Sequence, residues 1–267
     1  MYGSLHEHPE ALQVYFKAHF GLRPEEMPET VVVTPLQFSS VLGANLPDAL
    51  GKRGATVSAL KTAMSGFGDS YLARKGDRSA LFSIGGVGGA LALGHALLLI
   101  HAPRAEKVLF YGTAGAVADH MGLCDLNVPD RCIRGDRVTE DVVPMSAPAE
   151  GDAALCAEVR DRLGVLLNGS VGVHDDLHYT VSSIFVETDE MLHALRAGNV
   201  NTIDMELSVY YTILRRAGKR AAGILKAIDL PLKRLATFDA VKKNVSPEIR
   251  DGVNRAVLSV LCDLCGI

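Results

Sequence analysis

In Ile224-Leu225-Lys226-Ala227-Ile228-Asp229-Leu230-Pro231 an apolar strand ends in Asp229, which sets its carboxyl at a carboxyl-terminal sheet edge. Burial raises a carboxyl pKa and suits it to proton donation near neutrality. An aspartate that opens a turn before proline is the competing reading. Asn201-Thr202-Ile203-Asp204-Met205-Glu206-Leu207 puts two acids where a strand should give way to a helix. A carboxylate there can accept two hydrogen bonds from a vicinal diol, or it can be a first-turn acid that complements the helix dipole.

Two glycine-rich turns accompany these acids. Ser83-Ile84-Gly85-Gly86-Val87-Gly88-Gly89-Ala90 follows an apolar strand and opens a helix, so Gly86 and Gly88 can bring backbone N–H groups up to an anion, a ribose or a dinucleotide. No Lys-Ser/Thr follows as in a P-loop, the dinucleotide fingerprint is only partly met, and a tight packing turn is the alternative. Tyr111-Gly112-Thr113-Ala114-Gly115-Ala116 is a second such turn at a strand end, where open α/β sheets bind ligands.

Other chemistry is poorly supported. His174-Asp175-Asp176-Leu177-His178 has two imidazoles at i,i+4 but reads as strand and turn, so no metal site is expected. Cys262 and Cys265 form a lone CxxC in a terminal helix and read as core. No GxSxG elbow is present, and no cofactor is expected.

Short β-branched runs alternating with segments of helical period argue for βαβ units. Strands are expected at 30–34, 79–84, 107–112, 125–134, 171–173, 180–186, 200–203 and 221–228. Helices are expected at 8–19, 57–65, 88–101, 152–166, 189–197, 206–216 and 247–264, the last opened by Ser246-Pro247-Glu248. The glycine-rich stretch 43–77 reads as an excursion around one helix, either a lid or a surface loop. No domain boundary or repeat is visible, so residues 1–267 are expected to form one domain.

The 267 residues carry 27 Lys and Arg against 31 Asp and Glu, a net charge of −4, and are 48% hydrophobic. That balance excludes a disordered chain and offers no basic footprint for nucleic acid. The longest apolar stretch, 89–100, is too short for a membrane span. The first ten residues lack a basic start and an apolar run, and the five cysteines are odd in number and irregularly spaced. A cytoplasmic location with free thiols is the expectation.

Taken in order from about Thr30 to Leu264, the glycine turns, the Ile-Asp-Met-Glu and the strand-terminal Ala-Ile-Asp resemble the nucleoside phosphorylase and nucleosidase superfamily. Within it, Ile203-Asp204-Met205-Glu206, Asp229-Leu230-Pro231-Leu232 and Ile133-Arg134-Gly135-Asp136 are most similar to the catalytic domain of AMP nucleosidases. The resemblance implies a three-layer αβα sandwich with a mixed, partly closed central sheet, purine N-glycosidic bond cleavage, and assembly into homo-oligomers. By position it makes Glu206 the ligand of the ribose 2′- and 3′-hydroxyls, Met205 the floor beneath the sugar and Asp229 the acid at the imidazole part of the purine. Thr113, beside Gly112, would face the ribose or an anion, and Phe185 would stack on the base. Arg134, Arg137, Lys226 and Lys233 are the cations placed to meet a substrate phosphate.

Where bacterial phosphorylases of this superfamily carry two phosphate-binding arginines, the chain has Gln37 and Phe110-Tyr111. Without guanidinium groups to hold an attacking phosphate, hydrolysis of a purine nucleotide or nucleoside is the leading expectation. A phosphorylase with other phosphate ligands and a non-catalytic nucleoside binder are the alternatives. A dinucleotide-dependent oxidoreductase stands behind both.

Overall fold

The computed structural model describes residues 8–63, 66, 68–235 and 239–267. Helix α1 (Pro9–Phe20) and strand β1 (Thr30–Thr34) lead into two short helices, α2 (Phe38–Leu42) and α3 (Leu46–Lys52). The hairpin β2 (Thr56–Leu60) and β3 (Ser70–Lys75) precedes β4 (Arg78–Ile84), α4 (Gly89–Leu99) and the long β5 (Lys107–Ala116). Then come β6 (Leu126–Asn127), β7 (Arg131–Arg134), β8 (Ala149–Glu150), α5 (Ala153–Leu167), β9 (Val173–His174) and β10 (His178–Thr180). The chain continues through α6 (Asp189–Ala197), β11 (Thr202–Asp204), α7 (Leu207–Arg216), β12 (Arg220–Asp229), α8 (Ala240–Asn244) and α9 (Pro247–Cys265).

All the described strands join one mixed sheet, whose main path runs in the order β2-β3-β4-β1-β5-β11-β10-β7-β8. Strand β12 runs parallel to β5 on its other side and carries the branch β6-β9. β1 pairs with β5 only as far as Phe110, and β11 takes over that flank, antiparallel, at Gly115 and Ala116. The partial closure expected of the sheet is therefore a branch, and the sheet stays open.

The sandwich follows from strand alternation. Along β1, Val31 and Val33 join one core cluster with Phe16, Leu99 and Tyr210, whereas Val32 joins the other with Leu163, Val257 and Leu261. Successive side chains on opposite faces thus bury α1, α4 and α7 against one side and α5 and α9 against the other. The helix ends obey local rules. Ser246 Oγ accepts from the Ile249 N–H, Pro247 follows at the first helical position, and Gly266 closes α9 at φ 71°. Asp152 and Thr188 cap α5 and α6 in the same way.

Several expectations are corrected. The helix expected over 57–65 is strand β2 at its start; Met64 and Ser65 lie outside the described residues. Stretch 43–77 is neither a lid nor a plain loop over most of its length: it supplies α3 and the hairpin that extends the sheet edge. The strand expected over 125–134 is two strands with different partners. The strand expected over 180–186 ends at Thr180, because Ser183 Oγ accepts from the Phe185 N–H and turns 184–186 into a 3₁₀ helix. All five cysteines are buried free thiols, as expected. No described helix is long and apolar enough to cross a membrane.

Candidate active site

Strands β1, β4, β5 and β12 run parallel, and their carboxyl ends converge on a cavity of about 650 Å³. Leu36 comes from the turn after β1, Val87 from the glycine turn after β4, and Thr113, Ala114 and Gly115 from β5. The junction of β11 and α7 supplies Ile203 through Glu206, and β12 supplies Ile228 and Asp229. The β12 register slips against β5 between Ala227 and Asp229, a bulge that lets consecutive residues reach the same cavity.

Five of the lining residues are acids: Glu187, Asp189, Asp204, Glu206 and Asp229. None of the described lining residues is a lysine, arginine or histidine. Burial pushes Asp229 up to about 6. Burial, and then the Asp229 carboxylate, push Glu187 up to about 7. Two carboxyl groups sharing a cavity thus titrate close to neutrality, where each can hold or release a proton.

Glu206 is buried immediately before α7 and accepts the backbone N–H of Gly88 at Oε1. Burial, with the neighbouring Asp204 charge next, holds its pKa well above the ordinary range. Asp204 is itself fixed on three sides. Its Oδ1 accepts from His178 Nε2 and Thr180 Oγ1, each at 2.8 Å, and its Oδ2 accepts the Leu207 N–H at 2.8 Å. The carboxylate caps α7 and joins that helix to β10.

The residues expected at the site divide. Asp229, Glu206, Met205, Thr113 and Phe185 all line the cavity, with Phe185 93% exposed at its mouth. Gly86 and Gly88 flank the lining residue Val87 with φ of 83° and 93°, conformations that a side chain would strain. The Gly88 N–H is engaged by Glu206. Gly112 is absent from the lining, and the Phe110 ring occupies the space beside its Cα.

Arg134 does not reach the cavity. Its guanidinium is buried and donates to Thr139 Oγ1 and to the carbonyls of Val143, Pro144 and Ala147, which makes it the clamp of the loop after β7. Lys226 points to the opposite face of β12, where it donates to the Val41 carbonyl and Asn254 Oδ1. Lys233 donates to the carbonyls of Asp119 and Met121. Arg137 is likewise absent from the lining.

A sequence model of the phosphorylase superfamily matches residues 52–257. The chain belongs to the phosphorylase superfamily. Its members include nucleosidases and nucleoside phosphorylases, enzymes that act on N-glycosidic bonds. A DeoD-type purine nucleoside phosphorylase from Buchnera aphidicola subsp. Baizongia pistaciae is 24% identical over 163 residues. That match covers 60% of this chain and 66% of the relative's length.

Solved superfamily structures share the fold. Uridine phosphorylase from Vibrio fischeri ES114 superposes with a TM-score of 0.72 at 20% identity, covering 94% of this chain and 98% of that one. AMP nucleosidase from Bacteroides thetaiotaomicron VPI-5482 gives 0.67 at 16% identity, covering 96% and 98%. Purine nucleoside phosphorylase from Toxoplasma gondii, in complex with immucillin-H, gives 0.69 at 14%, covering 93% and 96%.

At the positions where the superfamily resemblance places phosphate-binding arginines, the side chains point elsewhere. Gln37 lines a separate cavity of about 350 Å³ with Asn45, Asp69 and Tyr71. Phe110 packs in the core, and Tyr111 is buried with its hydroxyl donating to the Val41 carbonyl. Glu187 and Asp204 went unassigned from sequence. Glu187 lies in the acidic run Glu187-Thr188-Asp189-Glu190 and Asp204 two residues before Glu206, but neither burial nor partners are local signals.

Proposed function

We propose that the protein hydrolyses the N-glycosidic bond of a purine nucleoside, and that it prefers the nucleoside to its 5′-phosphate. The observation that carries this reading is the acid-rich cavity, in which two carboxyls titrate near neutrality and no described lining residue is cationic. A phosphate co-substrate, or a phosphate on the sugar, would meet acids and no described cation to pair with it there. This narrows the expectation of an AMP-nucleosidase-like enzyme, since Arg134, Lys226 and Lys233 are engaged elsewhere and Arg137 does not line the cavity.

Cleavage builds positive charge on the sugar and negative charge on the base. The proton carried by Asp229, with Glu187 beside it in the cavity, passes to the imidazole nitrogen of the departing purine, a site that a pyrimidine lacks. Glu206 accepts from the ribose 2′- and 3′-hydroxyls. Those two donors solvate its charge, lower its raised pKa and leave an anion beside the developing sugar cation. Met205 packs beneath the sugar, Thr113 bonds to it, and Phe185 covers the base from the mouth. A water molecule completes the reaction by attacking the anomeric carbon and giving its proton to the carboxylate that protonated the base, which restores the acid and yields ribose and the free base.

Chromatographic assay of adenosine, inosine, guanosine and AMP, with and without inorganic phosphate, tests the proposal. Free base and ribose in the absence of phosphate, with AMP the poorer substrate, is the expected result. Base release that needs phosphate and yields ribose 1-phosphate would establish phosphorolysis instead. A rise in melting temperature without product would leave a nucleoside binder.

A further inference from the structure

We propose that His120, His174 and Asp176 form a binding site for one divalent transition-metal ion of the zinc class. The i,i+4 spacing of His174 and His178 is not the basis of this site. His178 is turned inward to Asp204, whereas His174 meets His120, which arrives from the segment after β5. One ligand atom from each of His120, His174 and Asp176 lies within 4.8 Å of the others. His120 Nε2 is 2.7 Å from Asp176 Oδ2, and His174 Nδ1 is 3.8 Å from the same oxygen. Metal bonds of about 2.0–2.2 Å place tetrahedral ligand atoms about 3.4 Å apart, so small side-chain adjustments suffice.

The groups behind these ligands are those a metal site requires. His174 turns its other nitrogen, Nε2, toward Asp125 Oδ2 at 3.4 Å. Asp125 is held in turn by the backbone N–H groups of Gly122 and Gly172, at 2.8 and 2.7 Å. A carboxylate behind a histidine fixes the ring and its tautomer, leaving Nδ1 free to ligate. The imidazole also lies over Gly172, where any Cβ would collide with it. Asp176 is locked by reciprocal bonds with Asn127, whose side chain accepts the Asp176 N–H and donates to its carbonyl, each at 3.0 Å.

Two nitrogens and one oxygen suit zinc, cobalt or nickel and disfavour magnesium. His120 is half exposed, which leaves the fourth position open to water. None of the three ligands lines the acidic cavity. The bound ion would fasten the segment carrying His120 to β9. That segment is already tied to α6 by Arg196 and Asp119, and to the turn after β12 by Lys233.

The test is calorimetric titration of the chelator-treated full-length protein with zinc, with magnesium as control, together with thermal melts and the visible spectrum of the cobalt-loaded protein. Saturable binding of one zinc per chain is expected, with Tm raised by about 5 °C or more at a hundredfold excess over Kd and no response to magnesium. His120→Ala, on a half-exposed side chain, should abolish binding while leaving the chelated protein's Tm unchanged. Asp125→Asn should weaken affinity about 10- to 100-fold. Absence of saturable binding, or binding of unchanged affinity in His120→Ala, as at His6 and His8 near the N-terminus, would overturn the proposal.

Discussion

The backbone N–H of Gly88 donates to Oε1 of Glu206 across 118 residues of sequence. This bond ties the glycine turn after β4 to the acid at the head of α7, so the two segments place each other. Glu206 meets the first free N–H of α4, a favourable position for a carboxylate. The turn that the sequence offers as an anion site thus holds a buried acid of the protein's own.

The first prediction concerns that acid. Glu206→Gln keeps an oxygen for the Gly88 N–H but removes the charge that faces the sugar cation. Its kcat/KM for a purine nucleoside is expected to fall about 10²- to 10³-fold. Because the wild-type carboxyl is buried at a raised pKa, the variant should melt no lower than the wild type. Steady-state kinetics beside a thermal melt checks both statements.

A second prediction follows from the pairing of Asp229 with Glu187. The alkaline limb of the kcat/KM profile should lie near pH 7, where the last proton leaves the pair. In Glu187→Gln only Asp229 remains to titrate, and the limb should move down toward pH 6. Asp229→Asn should lose about 10²- to 10⁴-fold in rate at every pH. Profiles measured from pH 5 to 9 separate these outcomes; an unmoved limb in Glu187→Gln would remove that residue from the proton path.

The same groups give a stability prediction. A carboxyl whose folded pKa is raised binds its proton more tightly in the folded chain, so folding loses stability as pH climbs from the unfolded pKa to the folded one. For Asp229 that window runs from 3.8 to about 6. An uncharged amide at the same position carries no such cost. The Tm of Asp229→Asn minus that of the wild type should therefore increase from pH 4 to about pH 7, the upper part because Glu187 also loses the charge that raises it, and level off above that, as melts in matched buffers would show.

Arg134 supplies the fourth. As the clamp of 139–147, its replacement by alanine leaves three carbonyls and the Thr139 hydroxyl short of a donor. A loss of about 3 kcal/mol in urea unfolding is expected. Below the melting transition, kcat/KM should stay within about twofold of wild type. A selective rise in KM for AMP would instead mark Arg134 as a phosphate ligand.

How much of this was legible in the sequence depended on how local each signal was. β1 and the Ser246-Pro247 opening of α9 carry their own patterns and appear where expected. The β2-β3 hairpin was missed because Thr56–Leu60 is an edge strand whose five residues are all at least partly exposed, with no apolar face for alternation to reveal. Asp229 and Glu206 were visible because each sits at a junction of elements. Glu187 was hidden because its environment is made by burial and by Asp229, which arrives on β12 from far along the chain. Asp204 acquires its role through His178 and Thr180, also distant in the chain. For Arg134 the position in sequence was correct and the direction of the side chain was not, since a loop of backbone carbonyls competes for a guanidinium as well as a phosphate does.

Strand β5 is built into the core over Val108 to Tyr111 and becomes cavity wall over Thr113 to Gly115, with β12 beside it throughout. The two stretches are one rigid ribbon. In a random-mutagenesis screen, substitutions at Val108 or Phe110 that shift the strand by a fraction of an ångström should score as losses of activity rather than of expression. A map of sensitive positions drawn from such a screen would extend along the ribbon well beyond the reach of any substrate.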